Sequence, residues 1–246
     1  MADFVKMTTS LWEILHKPNK SLISVTNLIT FIGFGYKKSL FQEEKPSRYL
    51  ELCLAHGNKY EPECIEFLLE KLGGAFHIFR LPQGVSQIWR NQLQGTPDGF
   101  IVDKQTGDLG ILEVKCPFGG KYGRFNDEEE ITHQFRDVKK HFRHWLQLQL
   151  YLFLNKERGA NFGVLVYYYP SLRRAYAYWF KREELLDEAF CIEDTLDEYF
   201  AGKERSDPNP IRAVNVAILR VAITPVRKGV VTSQFLGIKI PSSTSV

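Results

Sequence analysis

The chain has 246 residues, 44% of them hydrophobic and 25% charged, and a formal net charge of only +3. That is ample for a core, in one large domain or one domain and a tail, and excludes a polycation. No apolar run reaches the length of a membrane span, and the four cysteines (Cys53, Cys64, Cys116, Cys191) form no C-x-x-C pair, which argues against zinc ribbons and redox motifs.

No secretory leader is evident, so the expected location is intracellular, cytoplasm or nucleus, with reduced thiols. A short helix fits residues 11–16. Residues 27–41 read as a helix weakened by Gly33 and Gly35, with Ser24 or Thr26 placed to cap it. A break at 43–46 precedes a second helix running to about residue 55. A third occupies GNKYEPECIEFLLEKLGG, 57–74. There Cys64, Ile65, Leu68, Leu69 and Leu72 recur at a helical period, and Gly73-Gly74 stops the run. Glu61 falls near the start of that helix, where it either complements the helix dipole or serves chemistry.

After a strand at 76–81 comes GTPDGFIVDKQTGDLGILEVKCPF, 95–118. Residues 99–103 and 110–114 read as strands joined by the loop Lys-Gln-Thr-Gly, 104–107. Strand side chains alternate, so Glu113 and Lys115 share a face and Val114 points away into packing. With a four-residue loop, Asp98 lies across from Glu113, about 5 Å away at Cβ; a one-residue slip would spoil the alignment. Two carboxylates that close repel unless a cation or a proton sits between them. Mg²⁺, or Mn²⁺ in its place, takes oxygen ligands and keeps several waters, so Asp98, Glu113 and the backbone carbonyl of Val114 suffice. Such an ion makes hydroxide accessible near neutral pH and stabilises charge on a phosphate, with Lys115 orienting the water or taking its proton. The leading reading is therefore a metal-dependent nuclease. A plainer one stands beside it: PDG is usually a turn, and an E-x-K recurs by chance at Glu43-Glu44-Lys45.

A long polar loop spans 117–137. Residues 142–154, FRHWLQLQLYLFL, are too apolar for a surface helix. Gln147 and Tyr151 share one of its faces, and a buried Gln needs a partner. His141 and His144 read as partly exposed side chains. Residues 161–169 and 175–180 form a hairpin around 170–174, and 182–200 form a helix. Asp207-Pro208-Asn209-Pro210 is a break, followed by β-prone runs at 214–223 and 230–240. The division expected is a nuclease domain at 1–206, helical over 1–56 with its core at 57–206, and an extension at 207–246 packed on it. Basic side chains near the motif, Lys121, Arg124, Lys139, Lys140, Arg143, Arg173 and Arg174, are candidate phosphate contacts that read no sequence.

GNKYE at 57–61, PDG at 97–99, EVKCPF at 113–118 and LQLQLY at 146–151 together resemble, in kind and order, the lambda-exonuclease/YqaJ branch of the PD-(D/E)xK nuclease superfamily. The resemblance implies an α/β, restriction-endonuclease-like core with a mixed central β-sheet flanked by helices. It implies Mg²⁺-dependent hydrolysis of double-stranded DNA, 5′ to 3′ from an end, in recombination, repair or viral genome processing. By position, Asp98 and Glu113 become metal ligands, Lys115 the catalytic lysine and Glu61 the helix carboxylate with a possible place on the metal. Gln147 and Tyr151 complete a Q-x-x-x-Y pattern. Lys20 with Ser24 or Thr26 corresponds to the holder of a 5′-phosphate. A homotrimeric ring and a single-strand annealing partner are further implications. An endonuclease of the same superfamily and a DNA-binding module with a vestigial site remain as alternatives.

Overall fold

The computed structural model describes residues 22–34, 47–81, 86–90, 92–118, 142–182, 192–201 and 227–232. Their elements in chain order are β1 (Ile23–Ser24), α1 (Val25–Phe34), α2 (Arg48–Leu72), β2 (Phe76–Arg80), β3 (Gln87–Trp89), β4 (Leu93–Gly95) and β5 (Gly99–Asp103). Then follow β6 (Leu109–Lys115), α3 (Phe142–Leu154), β7 (Ala160–Tyr169), β8 (Arg174–Lys181), α4 (Ile192–Phe200) and β9 (Arg227–Val230). The expected helix at 11–16, the loop beyond residue 118 and the β-prone run at 214–223 lie outside the described residues.

A six-stranded sheet has the order β2-β5-β6-β7-β8-β9. Only β6 and β7 run parallel; the other neighbours are antiparallel, so the sheet is mixed as expected. The hairpin β5–β6 pairs Gly99 with Leu112 through Val102 with Leu109. Its loop is residues 104–107, closed by hydrogen bonds from the Asp103 N–H to the Asp108 carbonyl at 3.0 Å and from the Gly107 N–H to the Asp103 carbonyl at 2.9 Å. Gly107 supplies the positive φ of +78° that the turn requires.

The parallel step from β6 to β7 demands a crossover, and α3 belongs to it. This helix is mostly apolar because most of it is covered, by β6 and β7, by α1, and by β3 and β4, while Arg143 is exposed. On the α3 face of the sheet lie Ile111, Leu165, Tyr167 and Tyr178. On the opposite face Leu112, Val114, Val164 and Val166 pack against Cys64, Leu68 and Leu72 of α2. Strand β7, ANFGVLVYYY, is buried on both faces, which is why it reads as a continuous apolar run.

Three expectations need correction. The two helices anticipated before and after residue 56 are one helix, α2, capped by Ser47, whose Oγ accepts from the Leu50 N–H at 3.2 Å. Pro62 lies inside it, and burial follows Phe67 while Leu69 is exposed. Helix α1 begins at Val25, two residues earlier than anticipated. A second, three-stranded sheet of order β1-β4-β3, parallel between β1 and β4, was not anticipated. A buried link pins it to the end of α3: the Asn155 amide donates to Gln87 Oε1 and to the Tyr151 carbonyl. Strand β9 extends the large sheet at its β8 edge. Among the described residues no helix is long and apolar enough to cross a membrane.

Candidate active site

Strand β6 carries the acids inward. Leu112 and Val114 pack toward α2, so the alternating Glu113 and Lys115 lie on the α3 face. Glu113 is 1% exposed. The ladder that sets Gly99 opposite Leu112, continued by one residue, brings Asp98 opposite Glu113. Asp98 is held there by the Val114 N–H, which donates to Asp98 Oδ2 at 2.7 Å. Gly99, the next residue, lets β5 lie close to β2: a Cβ there would stand 2.7 Å from the Phe79 carbonyl oxygen.

From α3, Gln147 and Tyr151 reach the same place. The Lys115 ammonium donates to Glu113 Oε1 at 2.5 Å and to Gln147 Oε1 at 3.1 Å. The Gln147 amide donates in turn to the Tyr151 hydroxyl at 3.0 Å. The half-buried Gln147 thus finds both of its partners inside the site. Glu113, Lys115, Gln147 and Tyr151 form one unbroken hydrogen-bonded chain from sheet to helix.

Glu61 approaches from α2. It lies thirteen residues after the helix start at Arg48, too far for the dipole, which acts within the first turn. Arg80 Nη2 donates to Glu61 Oε1 at 3.4 Å. Pro62 follows it directly and lacks the N–H that would bond the Asn58 carbonyl, so the helix ladder is interrupted where Asn58 and Glu61 face the cavity. That cavity has a volume of about 430 Å³, and Asp98, Glu113, Val114, Lys115, Gln147 and Tyr151 line it together with Glu61.

Burial, then the charge of Glu113, pushes the Asp98 carboxyl well above the usual carboxylate range. Burial also raises Glu113, opposed by Lys115. Burial lowers the Lys115 ammonium, but Glu113 and Asp98 outweigh it and the net direction is upward. Tyr151 is raised by burial and then by Glu113, so its hydroxyl keeps its proton. Glu113 Oε2 is buried and has no hydrogen-bond partner among the described residues. Two desolvated carboxyls, both raised by burial and Asp98 raised further by Glu113, one of them with an orphaned oxygen, are a donor set suited to a hard divalent cation. Among the described residues no three His, Cys, Asp or Glu side chains form a complete metal-binding group; two carboxylates fit an ion such as Mg²⁺, which keeps several waters.

Sequence reasoning missed His144. It is half-buried, lines the cavity and shares a 2.8 Å hydrogen bond between its Nδ1 and the Tyr167 hydroxyl. Its spacing of three from Gln147 on α3 was a signal that could have found it. Cys116 also lines the cavity, with its thiol pushed up to about 12 by burial and then by Glu61 and Asp98. Among the candidate DNA contacts, Ser24 Oγ accepts from the Asn27 N–H at 3.1 Å and caps α1. Thr26 is exposed inside the helix, its carbonyl accepting from Thr30. Arg143 Nη2 donates to Thr30 Oγ1 at 3.2 Å, joining α3 to α1. Lys20, Lys121, Arg124, Lys139 and Lys140 lie outside the described residues.

The fold is similar to that of an alkaline exonuclease, LHK-Exo, from Laribacter hongkongensis: TM-score 0.51 at 15% identity, covering 87% of this chain and 98% of that one. Weaker likenesses are LHK-Exo in complex with dAMP (TM-score 0.49, 15% identity, 74% and 87% covered) and a phage related exonuclease from Haemophilus somnus 129PT (0.45, 14%, 74% and 91%). At such identities these matches bear on the fold alone, and LHK-Exo accords with a mixed α/β core. No curated protein matches the chain. Residues 16–153, more than half of the chain and inclusive of every cavity residue from Glu61 to Tyr151, match the YqaJ-like viral recombinase domain, and the protein belongs to that family.

Proposed function

We propose that the protein is a metal-dependent deoxyribonuclease, acting as a duplex exonuclease that digests 5′ to 3′ in recombination, repair or viral genome processing. The observation that carries this reading is the convergence of Asp98 and Glu113, with its orphaned Oε2, beside an ammonium held by Glu113 and Gln147. Asp98 and Glu113 would hold Mg²⁺, or Mn²⁺ in its place, with the Val114 carbonyl and Glu61 as the further candidates. Bound there, the ion would make a water more acidic and stabilise charge building on the phosphate.

The chain's own groups do the rest. Lys115 stays protonated, because its two carboxylate neighbours raise it; that favours donation to a water or a phosphate oxygen over acceptance of a proton. Gln147 and Tyr151 fix where that donor points. Asp98, its Oδ2 tied to the Val114 N–H, keeps its other oxygen for the ion. All acidic and Lys positions of the motif are filled, which speaks against a vestigial module. The exonuclease name of the similar fold, LHK-Exo, agrees with a DNA substrate. A trimeric ring and an annealing partner follow from the family resemblance alone.

The test pairs a labelled linear duplex with the same DNA as a closed circle. Mg²⁺-dependent loss of the linear form alone is expected. Cutting of the circle makes the protein an endonuclease of the same superfamily. No cutting of either, with calorimetric Mn²⁺ binding that is absent or indifferent to Asp98→Asn, leaves a binding module.

A further inference from the structure

One wall of the cavity has no part in the chemistry above. It is built by the N-terminal half of α2 and by Phe118, three residues beyond Lys115. Tyr49, Cys53, His56 and Tyr60 follow at steps of four, three and four and share a helix face. Phe118 meets that face, its ring centroid 5.9 Å from Tyr49 and 5.4 Å from His56, while His56 lies 4.7 Å from Tyr60. The Tyr49 hydroxyl donates to the Phe118 carbonyl at 3.4 Å. Beside this row Leu50 and Leu54 are 47% and 53% exposed, and Tyr49 itself is 62% exposed. Cys53, Leu54, Gly57 and Phe118 line the same cavity as Asp98 and Glu113. Among the described residues a Cβ on Gly57 would meet nothing within 4 Å, so the wall has room beside it there. Burial, and then Lys59, lowers His56, so its ring is neutral at pH 7.

We infer that this wall is a stacking surface for the bases of a single-stranded DNA segment entering the cavity, with Phe118 and Tyr49 as its principal platforms. The inference rests on the nuclease reading and extends it to how the strand is held. From Tyr49 to Glu61 the helix rises about 18 Å. Stacked nucleotides advance about 3.4 Å each, so the wall matches roughly five of them. Every base has a π-face, which makes such a surface tolerant of sequence, as digestion of arbitrary DNA requires. An exposed apolar helix face also suits a protein partner. Nucleic acid is favoured because Phe118, which meets Tyr49 and His56, also lines the cavity that holds the acids, and because Lys59 sets its ammonium 4.8 Å from the Tyr60 ring centroid, adding positive charge along the path.

Calorimetry of the full chain in EDTA with unlabelled pentathymidylate, and with an abasic pentamer of equal charge, tests this. The wild-type chain should bind the base-bearing strand about tenfold or more tightly. Phe118→Ala and Tyr49→Ala should each lose most of that preference. Gly57→Leu, which extends into that room and improves helix propensity, should lose it while remaining folded. Equal binding of the two strands by the wild-type chain overturns the inference. So does a preference that survives all three substitutions, including the case where Tyr49→Ala or Leu54→Ala changes only the sedimenting mass and so marks a protein interface. The Mg²⁺ digestion assay reports separately: digestion without base preference removes the wall and keeps the nuclease, whereas base preference without digestion does the reverse.

Discussion

Gln147 Oε1 accepts a hydrogen bond from the Lys115 ammonium at 3.1 Å, across thirty-two residues of sequence. The glutamine is fixed in turn by its own amide, which donates to the Tyr151 hydroxyl. Gln147 therefore positions the lysine, and its loss should appear in turnover more than in affinity. Gln147→Leu is expected to lower kcat by about a hundredfold, the scale on which a displacement of about 1 Å acts, with KM little changed. Tyr151→Phe keeps the ring and removes one anchor, so a smaller loss, about tenfold, is expected. Steady-state digestion of a linear duplex measures both; a rise in KM alone would mean that Gln147 touches DNA instead.

Lys115 is the only cation bonded to the buried Glu113 among the described residues. Removing one partner of a buried pair leaves an uncompensated charge, at a cost of about 3–5 kcal/mol. Lys115→Ala should therefore abolish digestion, keep duplex binding, and destabilise the metal-free protein by that order at alkaline pH. Urea unfolding in EDTA reads the stability. The deficit should shrink when Mg²⁺ is added, because the cation restores positive charge beside Glu113; an unchanged deficit would place the ion elsewhere.

The acids give a pH dependence with a definite sign. Asp98 and Glu113 are both raised in the folded chain, by burial first, with Glu113 further raising Asp98. Between the unfolded carboxylate value, about 4, and the raised folded values, the native state binds more protons than the unfolded one. The pair's contribution to metal-free stability is thus greatest at and below the unfolded value and falls as pH rises through the folded ones. Asp98→Asn should flatten that decline and raise Tm in EDTA above neutral pH, while removing Mg²⁺ dependence. Digestion needs the pair deprotonated, so at limiting Mg²⁺ its acid limb should lie above the ordinary carboxylate range, and it should move down as Mg²⁺ rises and competes with the protons. The limb belongs to the pair and not to either residue. Melting curves across pH, with and without Mg²⁺, decide the matter.

What could be read from the sequence followed locality. The β5–β6 hairpin was legible because a four-residue loop and a period of two fix both the register and the shared face of Glu113 and Lys115. Helix α3 was legible from its apolar length. The continuity of α2 was not, because Gly57 and Pro62 are ordinarily breakers, and here packing of Cys64, Leu68 and Leu72 under the sheet outweighs them. Strands β1, β3 and β4 are two or three residues long, too short for any periodicity, and they exist through long-range pairing. The role of His144 depends on Tyr167, a partner twenty-three residues away, so its spacing to Gln147 alone did not weigh enough.

Gly95 offers the sharpest test of how the small sheet supports the site. A Cβ at Gly95 would stand 2.6 Å from the Tyr151 ring and 2.8 Å from the Leu154 side chain. Tyr151 is buried and bonded to Gln147, so it has no free direction in which to yield. Gly95→Ala should therefore push α3 away from β4 just where Tyr151 anchors Gln147. A loss of about 1–3 kcal/mol is expected from overpacking, together with a fall in kcat of about tenfold or more. Gly107→Ala, strained by its positive φ far along the hairpin, should lose about 1 kcal/mol with kcat unchanged. If the ring is the obstacle, Tyr151→Leu should cost less in the Gly95→Ala background than in the wild-type chain, a coupling of about 1 kcal/mol or more. Additive stabilities would show that β4 and α3 yield independently, and that the small sheet does not set the position of Gln147.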